Sequence, residues 1–280
     1  MTDAAAVAAD LNKTKSSARF LYGASVILLC AWVIVPLYLL LINTLSSPET
    51  VNSFPKSFIP EFDMGSIGFF AGFEGMLVAL KNSVIVATLT MIMSIVIGAP
   101  AGYALSRFDF RGKELFRLLI LLTRAFPLPL LALPLAVLFI RTGLDDTAFG
   151  LALVHTTLAI PFAVLITFSL FSGIPIELEE AAWTLGCTRF TAFTKVVLPL
   201  ILPGITASAI FAFVISWNEV FAAAVLTIEN RTLTAFLLQT LGEAPLHLKF
   251  AGGFILVVPA LIFLFAVRKY LFAMWGIANR

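Results

Sequence analysis

Charge is what this sequence has least of. Only 12% of its 280 residues are Asp, Glu, Lys or Arg, against 60% hydrophobic. A soluble domain carries about 25% charged residues, so a soluble chain of this length is excluded. Asp and Glu are nearly absent from the long apolar runs, which speaks against a carboxylate proton relay and against an intramembrane enzyme built on paired carboxylates. The two cysteines, Cys30 in an apolar run and Cys187 in a polar segment, offer neither a disulfide framework nor a cysteine metal site. No phosphate-binding loop is present: Gly112-Lys113 has no Gly five residues earlier and no Ser or Thr after it. No basic run interleaved with aromatics appears, and a net charge of +2 gives no case for nucleic acid. The opening Met1 to Asp10 is Ala-rich and acidic, without the basic flank of a cleaved signal peptide, so the first apolar block reads as a retained membrane span.

What the chain does have is apolar stretches of the length that crosses a bilayer as a helix, about 20 residues. They lie near 20–42, 84–105, 115–140, 148–171, 201–226 and 250–270. The expected fold is therefore an all-α integral membrane protein of six helices with both termini on one side. Lys13, Lys15, Arg19, Arg107, Arg111, Lys113, Arg117, Arg189, Lys195, Arg268, Lys269 and Arg280 fall on the side of the termini. Lys56, Lys81, Arg141, Arg231 and Lys249 fall on the other. The excess places the termini in the cytoplasm. The chain then divides into a cytoplasmic segment 1–19, a first helix 20–42, an outer loop 43–79, a five-helix core 80–272 and a cytoplasmic tail 273–280. The outer loop, rich in Ser, Pro, Gly and Phe, is either an ordered cap or a loose linker.

One polar, mixed-charge segment, 172–200, interrupts the apolar second half. It reads Glu179-Glu180-Ala181-Ala182-Trp183-Thr184-Leu185-Gly186, then runs through Val196 and Val197 to Leu198-Pro199. Ala181 and Ala182 favour a short helix that can sit close to another surface. Gly186 tolerates positive φ and ends it, and a second helix follows through Phe190, Phe193 and Val196. Pro199 and Pro203 reset the backbone at the entry to the next run. The expectation is a helix–turn–helix knob with Glu177, Glu179, Glu180, Arg189 and Lys195 on its surface.

Polar residues inside the apolar runs belong on interior faces or beside water-filled cavities. Arg124 stands about nine residues, roughly 13 Å, into the third run, close to the bilayer midplane. Two readings stand for it: with Thr123 it faces a solute path, aided by the breaks at Pro127 and Pro129, or it pairs with a carboxylate of this chain or of a partner. His155 has no second His or carboxylate at helical spacing and reads as a hydrogen-bonded packing residue. Ser216-Trp217-Asn218-Glu219 closes the fifth run, where Asn218 and Glu219 line an outer gate or Trp217 anchors the helix at the interface.

The Glu-Ala-Ala segment with its Gly and Leu-Pro at this spacing resembles the coupling loop of permease subunits of bacterial ATP-binding-cassette importers. The set Asn82-Ser83, Gly102-Tyr103-Ala104-Leu105-Ser106-Arg107-Phe108, Ile174-Pro175-Ile176-Glu177-Leu178-Glu179-Glu180 and Trp217-Asn218-Glu219 is similar to carbohydrate permeases of the maltose-transporter type. The likeness covers roughly Lys81 to the C-terminus. It implies a multi-pass protein of the bacterial inner membrane that performs no covalent chemistry and imports a sugar, polyol or glycoside by alternating access. The implied partners are a second, homologous permease forming a heterodimer, a dimer of cytoplasmic ATPases using ATP and Mg, a periplasmic solute-binding protein and membrane lipid. This chain itself binds no cofactor or metal. Glu179, Glu180, Ala181, Ala182, Gly186, Leu198 and Pro199 would form the ATPase-coupling element. Two departures stand out. The tail from Leu271 to Arg280 is bulkier than the small-residue tails of relatives, and Arg124 stands where a neutral polar residue is expected. The second points to a solute with a negative group, such as a sulfonated or phosphorylated glycoside. Other readings are a non-sugar importer of the same architecture, an ion-coupled carrier or an intramembrane enzyme.

Overall fold

Backbone N–H and C=O groups find no partner in lipid, so apolar runs of this length satisfy them internally as helices. The computed structural model describes the backbone of residues 2–274 and the side chains of residues 19 and 21–268; helices and turns account for them, with no strand among the described residues. The side chains of Met1 to Asp10 and most of the tail from Leu271 to Arg280 lie outside the described residues.

Among the described residues five helices are long and apolar enough to cross a membrane: Leu21–Thr44, Met76–Arg107, Ala148–Ser172, Arg189–Asn218 and Leu246–Arg268. The third expected span is different. Lys113–Ala125 and Leu128–Thr142 meet at 87°, and neither half alone reaches across a hydrocarbon core of about 30 Å. Proline supplies the reason. Pro127 pushes Phe126 into an extended conformation, φ −77° and ψ 116°, and itself caps the second half.

The chain forms two compact units. The first holds α1 (Thr2–Thr44), α2 (Pro48–Asn52), most of α3 (Gly65–Ala71) and the opening of α13 (Leu246–Met274). From Leu21 to Leu39 the apolar side chains of α1 are exposed, Trp32 by 78%, a surface suited to lipid, while Ile42 near its end is buried. The segment after α1 is held by its own side chains. Glu61 accepts from the Thr50 hydroxyl at 2.5 Å and from the Ser47 N–H at 2.8 Å, and these donors hold its carboxyl below the ordinary 4.5.

The second unit holds α4 (Met76–Arg107), α5 (Lys113–Leu122), α6 (Leu128–Thr142), α7 (Ala148–Ser172), α8 (Glu177–Thr184), α9 (Arg189–Ala192), α10 (Leu198–Asn218), α11 (Phe221–Leu226), α12 (Leu233–Leu241) and the rest of α13. Its spine is the α4–α7 pair. Gly98 and Gly102 let the two backbones approach: a Cβ on Gly102 would stand 2.6 Å from the Phe168 nitrogen, and one on Gly98 2.7 Å from the Ala163 Cβ. Thr167 uses the contact to donate to the Gly98 carbonyl at 3.0 Å. Because α7 leads into α8 and α10 leads out of α9, α8 and α9 sit at one end of this bundle. Phe171, Val197, Ile201, Ile205 and Ala99 form the core there.

The path from α9 to α10 departs from expectation. Pro199 and Pro203 do not reset the chain, which stays helical from Arg189 to Asn218 by way of a π-helical turn, Phe193–Val197. The Leu198 N–H reaches back to the Phe193 carbonyl, five residues away. Widening the turn there relieves the clash between a proline ring and the carbonyl four residues earlier.

At the opposite end the fifth run stops sooner than its apolar length suggests. The helix ends at Asn218 and α11 begins at Phe221, because the Glu219 carboxylate turns back to accept the N–H groups of Phe221 at 2.9 Å and Ala222 at 3.0 Å. Asp146 clips the neighbouring loop: its carboxylate accepts from the N–H groups of Ile228, Asn230 and Glu229 at 2.8, 2.9 and 3.2 Å. Partial burial raises the Asp146 pKa, but these three donors and the positive charge of Arg231 outweigh it and hold the group below the ordinary 3.8.

Candidate functional site

The knob forms as its sequence dictates. Glu177, Glu179 and Glu180 occupy the first turn of α8, where the helix dipole favours negative charge. Gly186 takes φ +87° and closes the helix, with the Cys187 N–H on the Ala182 carbonyl at 3.0 Å and the Gly186 N–H on the Trp183 carbonyl at 2.9 Å. This pairing satisfies carbonyls that a helix end otherwise leaves open. Leu185 is 85% exposed and Phe190 75%, so the turn around Gly186 presents an apolar tip. Glu180 and Ala181 are exposed and Ala182 is buried.

Glu179 is not on the surface. It is 1% exposed, and both its oxygens are taken by α4: Arg107 Nε donates to Oε1 at 2.6 Å and the Tyr103 hydroxyl to Oε2 at 2.7 Å. A second nitrogen of Arg107 donates to the Ile174 carbonyl at 3.1 Å. The Tyr103 ring meets Phe171 and Phe193 edge-on at 5.1 and 4.8 Å. Two adjacent glutamates therefore divide: one turns into the fold and one turns out. The sequence marked Tyr103 and Arg107 only as parts of a motif and of a charge tally. Nothing local names their partner more than 70 residues away.

The second feature lies at the α5–α6 break. Thr123 and Arg124 occupy a single 3₁₀ turn there, so a depth counted along a straight helix no longer applies to Arg124. Its guanidinium sits 3.9 Å over the ring of Phe162 and makes no ion pair among the described residues. Thr123 and Arg124 line a cavity of about 500 Å³ whose other walls are mainly Leu, Phe and Val, with Thr157 as a further hydroxyl. Seven residues earlier Arg117 repeats the pattern over Phe168 at 4.3 Å, but Glu114 neutralises it. Arg124 has no such neutraliser, and a cation over an aromatic face keeps its N–H edges free for an acceptor.

Asn218 and Glu219 fall elsewhere. Asn218 is exposed and donates to its own helix at Val214. Glu219 is tied to the fully buried His155, whose Nε2 lies 3.1 Å from Oε2 while Nδ1 lies 2.7 Å from the Ser216 hydroxyl. His155 is thus the hydrogen-bonded packing residue expected, but with a carboxylate supplied from another helix. Trp217 is buried and stacked on Phe213 rather than set at an interface.

Comparison with known proteins adds what geometry cannot. Residues 94–273 match the family model described as the binding-protein-dependent transport system inner membrane component. The chain is 34% identical over 201 residues to a trehalose transport system permease protein of Mycobacterium tuberculosis, covering 70% of this chain and 73% of that one. It is 39% identical over 144 residues to a sulfoquinovosyl glycerol transport system permease protein of Agrobacterium fabrum, about half of each chain (51% and 50%). Its fold superposes, at a TM-score of 0.70 and 22% identity, on a chain of a bacterial ABC transporter involved in the import of the acidic polysaccharide alginate, covering 91% of this chain and 97% of that one.

Proposed function

The chain belongs to the family of binding-protein-dependent transport system inner membrane components, and on that premise we propose that it imports a sugar or glycoside carrying a negative group. It is a multi-pass inner-membrane permease subunit with an importer permease fold, and ATP hydrolysis resides in a separate subunit. The observation that carries the proposal is Arg124, a guanidinium free of any described carboxylate, held over Phe162 and lining a mainly apolar cavity with Thr123 and Thr157. An unpaired cation in such surroundings is costly unless something anionic meets it. A sulfonate, phosphate or carboxylate on a sugar supplies that partner, and the aromatic and apolar walls suit the faces of a sugar ring. A relative named for sulfoquinovosyl glycerol and a structural neighbour that imports an acidic polysaccharide support the same chemistry.

In this reading the solute arrives from a periplasmic binding protein and crosses by alternating access between this chain and a second permease. The α8–α9 knob meets a cytoplasmic ATPase through exposed Glu180, Leu185 and Phe190. The broken α5–α6 pair is the element suited to changing shape, since its halves share no continuous hydrogen-bond ladder.

The test is a thermal-shift screen of anionic and neutral glycosides on the cognate binding protein. It is followed by uptake into proteoliposomes holding both permeases and the ATPase. The expected result is uptake that needs ATP and the binding protein and is strongest for an anionic glycoside. A binding protein that takes only neutral sugars would overturn the anionic assignment and leave the family-level function standing.

A further inference from the structure

The buried cluster of Arg107, Tyr103 and Glu179 lies outside the solute cavity, and its geometry exceeds what simple packing needs. The Arg107 side chain is 9% exposed and that of Glu179 2%. Each Glu179 oxygen has its own donor, and both donors come from the last turns of α4. The remaining guanidinium bond runs to Ile174 in the short linker between α7 and α8. Covalently, α8 is joined to α7 on one side and, through α9, to α10 on the other. It has no chain connection to α4.

We propose that Arg107, Glu179 and Tyr103 form a positioning lock through which a displacement of the knob is delivered along α4. The proposal rests on the reading that the knob meets the ATPase. Along its length α4 is held to α7 by close packing of small residues and by the Thr167 hydrogen bond to the Gly98 carbonyl, contacts that are made mainly of non-directional dispersion and do not reach α8. Hydrogen bonds to a charged group are directional and strong, and two on one carboxylate fix both distance and angle. With the lock intact, α8 and the end of α4 shift together. Without it, a push on the knob bends the linker at Gly173–Ile176 and leaves α4 behind. Glu180, the neighbouring exposed glutamate, remains free for the partner.

The experiment measures solute taken up per ATP hydrolysed in the full reconstituted transporter, in a Cys30→Ser background that leaves Cys187 as the knob's own cross-linking handle. Glu179→Gln keeps shape and removes the charge. The expected result is a Cys187 cross-link to the ATPase at wild-type yield, continued hydrolysis, and uptake per ATP lowered about tenfold, the scale of a lost hydrogen bond to a charged group. Tyr103→Phe should give a smaller drop. The exchange Arg107→Glu with Glu179→Arg should recover part of what either reversal alone loses. If assembly, hydrolysis and uptake fall in parallel with the ratio unchanged, the cluster is structural only and the proposal is overturned. If the cross-link forms but the ratio is unchanged, the lock fails while the docking reading stands. If the wild type gives no cross-link from Cys187, the docking reading fails and the lock with it.

Discussion

Two places in the second unit treat charge in opposite ways. At the knob, Glu179 is buried with a donor on each oxygen and an arginine beside it. At the α5–α6 break, Arg124 is exposed and, among the described residues, rests on an aromatic face with no ion pair. Both arginines have apolar residues around them, yet one is paired within the chain and the other has no ion-pair partner among the described residues. A charge paired in the fold fixes geometry. In the proposed function, the charge left unpaired beside a cavity is the one that recognises the solute.

Breaking the satisfied end should cost most. Glu179→Leu strands the Arg107 guanidinium in a closed site and is expected to destabilise the protein by about 3–5 kcal/mol. Thermal unfolding of the purified complex would read this as a clear loss of melting temperature. Adding Arg107→Met should recover most of the stability, because an apolar pair of similar volume tolerates burial where a lone charge does not.

A smaller effect is expected from the spine that holds the lock in place. Gly102→Val drives a methyl-bearing carbon into the Phe168 backbone and should cost about 1–3 kcal/mol by overpacking. Gly112→Val, in open space but at positive φ, serves as a control for the cost of losing a glycine without a clash. Expression yield and melting temperature of the two variants compare the effects directly.

The smallest effect concerns a third way of handling charge, by backbone donors alone. The Asp146 carboxyl is held below 3.8 in the folded protein. Its stabilising contribution is therefore fully present above that value and is lost as pH falls through the lower, folded pKa. Amide exchange at Ile228 and Asn230, corrected for its intrinsic pH dependence, should show protection that is flat from pH 7 to about 4 and declines below that. In Asp146→Asn the protection should be lower at neutral pH by about 1 kcal/mol or less, with no such decline.

Local chemistry made much of this fold legible. Apolar length located the spans, Gly186 announced the end of α8, and Pro127 marked the place where the third run breaks. What stayed hidden depends on partners distant in the chain. Helical periodicity separates Glu179 from Glu180 by one step around the axis, but only Tyr103 and Arg107 decide which of them faces inward. Glu219 read as part of an outer gate or of a helix end anchored by Trp217, because His155 lies 64 positions away and no pattern in either segment announces the pair. Pro199 and Pro203 read as a reset because proline usually interrupts a helix, and the π-turn that precedes them leaves no trace in composition. Arg124 was legible as an anomaly, since a lone cation in an apolar run is conspicuous. The Phe162 ring beneath it was not, because aromatics are abundant throughout the chain.

The most direct test of the contrast between fixed and free charge is uptake of an anionic glycoside and its neutral counterpart by transporters carrying wild-type Arg124 or Arg124→Gln. The account predicts that the substitution leaves assembly and melting temperature near wild type. It also predicts that anionic uptake falls by about tenfold, the scale of one lost charge-assisted hydrogen bond, while neutral uptake is spared or improved. Equal uptake of both solutes by the two proteins, or loss of the assembled complex in Arg124→Gln, would contradict it and make Arg124 a structural charge paired within the assembly.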